Sequence, residues 1–110
     1  MSARNALLNA PPYPVASALA TLGSNLRTAR LRRNLTIEQV AAKIGTGPRA
    51  VADAEKDKPG AAAATYVALL WIYDLLDPVA ALADPLADEE GLLLARARAA
   101  ARQSTRRVGQ

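Results

Sequence analysis

The chain has no cysteine and no histidine among its 110 residues. A disulfide framework, thiolate or imidazole metal sites and His-based acid–base chemistry are therefore excluded. Phenylalanine is also missing, and one Trp and three Tyr are the whole aromatic complement. Stacking of exposed bases on aromatic platforms has little to build on. β-Branched residues are few, and Ala and Leu dominate a composition that is 51% apolar, which favours helices over a sheet. No apolar run approaches the roughly 20 residues that span a bilayer. The opening MSARNALLNAPPYP lacks the apolar stretch of a signal peptide, so a cytoplasmic location is expected. No nucleophile–base pair and no phosphate-cradling glycine loop is present, so neither an enzyme nor a cofactor is expected. Asp84, Asp88, Glu89 and Glu90 read as helix caps and solvated charge rather than as a metal cluster.

What is present is a segregated charge. The net +4 divides into +5 over residues 1–35, zero over 36–60, −6 over 61–95 and +5 over 96–110. Basic ends flanking an acidic segment could meet nucleic acid at the ends and a partner in the middle. Equally, the acidic block could neutralise the basic tail of its own or a neighbouring chain.

Residues 36–56, TIEQVAAKIGTGPRAVADAEK, organise the rest. Thr36 can cap a helix with Gln39 as its capping-box partner. Val40, Ala41 and Ile44 follow at helical spacing until Gly45 breaks the pattern. Gly47-Pro48 restarts it, with Pro48 in the first turn where its missing N–H costs nothing. Val51 and Ala54 then face inward. Two short helices around a glycine turn, with small Ala41 where they cross, are the pattern of a helix-turn-helix.

Around this centre, residues 1–14 hold three prolines and no periodicity and are expected to be a flexible arm, in which a minor-groove role for Arg4 is conceivable. From Val15, an apolar stripe of Leu19, Leu22, Leu26 and Ala29 predicts a helix, kinked or restarted at Gly23-Ser24. Its other face carries Arg27, Arg30, Arg32 and Arg33, which could lie along a phosphate backbone. A loop at 57–60 leads to a helix over about 62–76, apolar nearly all round, with Trp71 expected in the core or a dimer contact. Asp77-Pro78 and Asp84-Pro85 are two cap-plus-proline starts, the first opening a short helix over 79–83. A last helix is predicted from Glu89 to about Gln103, followed by a disordered basic tail over 104–110.

At this point residues 22–83 resemble the Xre/Cro-type helix-turn-helix family, the five-helix fold of phage repressors. The segment LGSNLRTARLRRNLTIEQVAAKIG carries the likeness to the first two helices. The run TYVALLWIYDLLDPVAALADP looks like the fourth and fifth helices of HipB-type antitoxins, which are encoded beside HipA-like serine/threonine kinases. The resemblance implies an all-α, five-helix lambda-repressor-like domain over 15–83, with an extra C-terminal helix and basic tail over 84–110. It further implies a homodimer on a palindromic double-stranded DNA operator, each second helix in a major groove. The groove-facing residues would be Gly47, Pro48, Arg49, Ala52, Asp53 and Lys56, with Arg49 the one good base reader. Thr36 and Gln39 would sit by the backbone, and Arg27, Arg30 and Arg33 would add phosphate contacts.

The chain departs from that family at the reading edge. Ser or Thr usually stands where Gly47, Ala50 and Ala52 are, a polar or basic residue at Asp53, and Gln at Ile37. A carboxylate in a phosphate-lined groove is repelled unless it accepts a cytosine amino hydrogen. The function expected is thus a sequence-specific regulator, an antitoxin-like autorepressor that also binds a HipA-like kinase toxin. The alternative is a protein-interaction module that kept the fold and lost DNA recognition.

Overall fold

A computed structural model describes the backbone of residues 5–108 and the side chains of residues 5–106. Arg4 lies outside them. The order is α1 (Ala6–Asn9), α2 (Tyr13–Arg32), α3 (Ile37–Ile44), α4 (Pro48–Glu55), α5 (Ala63–Ile72), a 3₁₀ turn (Asp77–Ala81) and α6 (Glu89–Val108). Among the described residues there is no strand. The chain divides into two units, one running to Leu76 and the other starting at Asp77.

In the first unit, the stretch expected to be an arm carries α1 and the start of α2. Asn5 caps α1, its Oδ1 accepting from the Leu8 N–H at 3.3 Å. The prolines then serve α2 rather than loosen the chain: Pro12 is its N-cap residue and Pro14 sits in the first turn, where a missing N–H is harmless. Of the kink or restart expected at Gly23-Ser24, the restart does not occur, since α2 runs unbroken through it. Gly23 is there for packing. A Cβ at this position would lie 2.7 Å from the Ala54 carbonyl oxygen and 2.9 Å from that of Glu55, so only glycine lets the end of α4 approach α2 this closely.

Helices α2 to α5 stop by one device. Asn34, Gly45, Asp57 and Asp74 take positive φ of 56°, 78°, 53° and 59°. In each case the next residue's N–H donates to a carbonyl five positions back: Leu35 to Arg30, Thr46 to Ala41, Lys58 to Asp53 and Leu75 to Leu70. This closes the orphan carbonyls at the helix end. Asn and Asp tolerate the left-handed region better than other side-chain-bearing residues. The sequence signals at 34, 57 and 74 are therefore as physical as the glycine at 45.

The core joins four helices through Leu26 and Ala29, Val40 and Ala41, Val51 and Ala54, and Tyr66, Leu69 and Tyr73. The inward assignment of Val40, Ala41, Val51 and Ala54 holds, each being at most 1% exposed. Helix α5 is shorter than expected and not wholly enclosed. Tyr66, Leu69 and Tyr73 are buried, whereas Val67, Trp71 and Leu75 are 42%, 62% and 44% exposed. Trp71 is not a core residue of this chain.

In the second unit, the short helix expected over 79–83 is a 3₁₀ helix over Asp77–Ala81. Asp84-Pro85 starts no helix; the Asp84 Oδ1 accepts from the Leu86 N–H at 2.9 Å and closes a local turn. Asp88 caps α6, accepting from the Gly91 N–H at 3.0 Å. The helix then continues to Val108, past the expected end at 103 and through most of the tail expected to be disordered. Ala and Arg are strong helix formers, and arginines are favoured near a helix C-terminus by the dipole.

Candidate nucleic-acid interface

The turn between α3 and α4 is built from local chemistry. The Thr36 Oγ1 accepts from the Gln39 N–H at 3.1 Å, and the Gln39 Oε1 accepts from the Thr36 N–H at 2.9 Å. This reciprocal capping box fixes where α3 begins. Neither bond consumes the Gln39 amide N–H₂ or the Thr36 hydroxyl hydrogen, so both remain donors at an exposed helix start. Gly45 ends α3 in the left-handed region, and Gly47 with Pro48 begins α4. Gly47 offers no side-chain cap, which leaves first-turn N–H groups of α4 free for an anionic partner.

With Val51 and Ala54 locked into the core, the opposite face of α4 turns outward. Pro48, Arg49, Ala52, Asp53 and Lys56 line one shallow groove, together with Ile37, Glu38 and Lys58. The groove unites five of the six positions assigned to the second helix; Gly47 lies exposed at its start. Arg49 and Lys56 are exposed, while Ala52 and Asp53 are half-buried. Lys58 was missed in the sequence because it lies beyond the helix. The left-handed Asp57 turns the chain back, and the Lys58 N–H returns to the Asp53 carbonyl at 3.1 Å. A lysine two residues past Lys56 was the only signal for it. Three cations against Glu38 and Asp53 make the groove weakly positive.

The arginines of α2 divide. Arg27 is exposed and has no hydrogen bond or ion pair among the described residues. Arg30 is corrected. It is 7% exposed, donates from Nε and Nη2 to both oxygens of Glu55 at 2.7 and 2.9 Å, and from Nη1 to the Leu35 carbonyl at 2.9 Å. The Glu55 hydrogen bonds raise its pKa further against the opposing effect of burial. All three guanidinium nitrogens are engaged, so Arg30 is a structural tie and not a phosphate contact. Arg33 is likewise occupied, donating to the Ala29 and Tyr73 carbonyls at 2.9 Å each. Its guanidinium also lies over the Tyr73 ring, 5.2 Å from the centroid. It clamps the end of α2 to the end of α5.

Among the described residues no group of His, Cys, Asp or Glu could hold a metal ion, and no helix is long and apolar enough to cross a membrane.

This geometry defines a class: an all-helical helix-turn-helix unit of the lambda-repressor-like kind, followed by an additional helix. A helix-turn-helix family model matches residues 26–70, from the last two turns of α2 to most of α5. The match suggests a DNA-binding transcriptional regulator. No curated protein and no solved structure matches the chain.

Proposed function

We infer that this protein is a sequence-specific transcriptional regulator that lays α4 in the major groove of its operator. The observation that carries the reading is the outward face of α4. Arg49 and Lys56 stand clear of the core on a helix whose other face is fixed by Val51, Ala54 and the Glu55–Arg30 pair. The Arg49 fork can pair with guanine O6 and N7, Lys56 and Lys58 reach phosphates, and Thr36 and Gln39 set the register. The exposed apolar side chains Val67 and Trp71 on α5, with Leu75 just beyond it, support a homodimer, and a two-fold dimer reads a palindrome.

The test is a gel-shift titration of the full chain against DNA upstream of its own reading frame. A specific shift is expected, and no retardation at low salt overturns the reading. Arg49→Ala should cost about 1–3 kcal/mol of discrimination at one base pair. Lys56→Ala should weaken all sequences alike. The narrower role, an autorepressing antitoxin that neutralises a HipA-like kinase, draws on the likeness of residues 65–85 and predicts a kinase-type reading frame beside this one.

A second reading has its own observation. Gly47, Ala50 and Ala52 offer no polar side chain to a base, and Asp53 places a carboxylate in the groove. On this reading the chain binds a protein partner only, through the acids at 84–90 or the arginines of α6. Capture of that partner undiminished by Arg49→Ala, with no operator shift, distinguishes it.

A further inference from the structure

Helix α6 carries three arginines that no other described residue employs. Arg98, Arg102 and Arg106 recur at every fourth position and are exposed, and none has a hydrogen bond or ion pair among the described residues. Four residues advance a helix by about 6 Å and turn it by about 400°, so the three occupy about 12 Å of length and about 80° of circumference. They form one ladder on one face. No acidic residue follows Glu90 in the sequence, so no i,i+4 carboxylate can neutralise them from within the helix. Like charges at this spacing repel one another, and an external polyanion relieves that repulsion. Arg96 is also exposed but lies off the ladder.

The geometry points to the Arg98–Arg102–Arg106 face of α6 as a second, sequence-independent contact to the phosphate backbone of duplex DNA. It rests on the reading of the chain as a DNA-binding protein and adds the source of its affinity. Each strand of a duplex presents one phosphate per about 3.4 Å of axis, so a ladder of about 12 Å faces three or four of them. The guanidinium fork matches phosphate oxygens better than an ammonium does. The first unit, meanwhile, buries Arg30 in an ion pair and engages the exposed Arg33 with two carbonyls of its own scaffold, and the groove on α4 sets three cations against two acids.

The experiment is fluorescence anisotropy of the full chain on a random-sequence duplex and on the upstream DNA, at several salt concentrations. R98Q, R102Q and R106Q together remove the charge and keep good helix formers. Each lost phosphate contact lowers the slope of log K against log salt by about 0.9, so the triple variant should lose about 2.7 per bound chain. Between about 50 and about 200 mM salt, the wild type should then lose about 40-fold more affinity than the variant for each bound chain. Both duplexes should be weakened by the same factor, and R96Q should move the slope less than R98Q does. An unchanged slope in the triple variant overturns the proposal, as does an equal effect of R96Q, which would mean bulk charge only. Unchanged DNA binding with lost binding to poly-glutamate would assign the ladder to an acidic protein surface instead. If circular dichroism shows that the triple variant loses helix, R98Q and R106Q singly, each expected to lower the slope by about 0.9, decide the matter. A salt slope that falls as expected without any preference for the upstream DNA would leave the ladder standing and sink the specific-regulator reading. An operator preference with an unchanged slope would do the reverse.

Discussion

Glu55, the last residue of α4, holds the guanidinium of Arg30, near the end of α2, with both carboxylate oxygens at 2.7 and 2.9 Å. Their side chains are 4% and 9% exposed. The pair pins the C-terminal end of the candidate reading helix to the scaffold. Removing one partner strands a buried charge, which costs about 3–5 kcal/mol, whereas replacing both by apolar residues is often close to neutral. Arg30→Met should therefore lower stability in urea unfolding far more than the double variant R30M/E55M. Additive single effects would show that the pair is not coupled.

Gly23 sets two physical effects against each other. On helix propensity alone, Gly23→Ala inside α2 should stabilise by about 0.5–1 kcal/mol. The Ala54 and Glu55 carbonyls, 2.7 and 2.9 Å from the added methyl position, reverse the sign, and a loss of about 1–3 kcal/mol is expected. Thermal unfolding of this one variant decides between the local and the tertiary effect.

Trp71 is the only tryptophan of the chain and is 62% exposed. If it lies in a dimer contact with Val67 and Leu75, its emission should shift to the red on dilution as the partner leaves. Trp71→Ser should bring the mass in sedimentation down to a monomer and, at dilutions where both proteins are monomeric, leave unfolding within about 0.5 kcal/mol, as exposed substitutions do. Emission independent of concentration would remove this surface from the dimer.

Alkaline pH should unfold the protein through Tyr66 and Tyr73. Burial is the main cause that raises both hydroxyl pKa values above the usual 10, and neither hydroxyl has a partner among the described residues. Above pH 10 the unfolded chain releases these protons while the folded one retains them, so stability falls as pH rises from there. Below that pH the two residues contribute no slope. Y66F/Y73F should flatten the decline, measured as denaturation midpoint against pH. A decline as steep as in the wild type would assign it to other groups.

The sequence by itself determined the elements whose causes are local. The Thr36–Gln39 capping box, the Gly45 turn, Pro48 at the start of α4 and the inward face of Val40, Ala41, Val51 and Ala54 all lie within a few residues of their partners. The groove positions 48, 49, 52, 53 and 56 came instead from the likeness to the helix-turn-helix family, and the structure brings them together along one groove. Roles fixed across long sequence separations come from the packing of helices on one another. Arg30 meets Glu55 25 residues away, and Arg33 meets Tyr73 40 residues away. A row of arginines on one helix cannot reveal which of its members the fold will take for itself. Gly23 read as a kink or restart because its partner, the end of α4, is distant in sequence, and Trp71 read as core or dimer contact because hydrophobicity does not specify which face of a helix is covered. Spacing along the chain sets which side chains share a face, and packing between helices sets which of them remain free to bind.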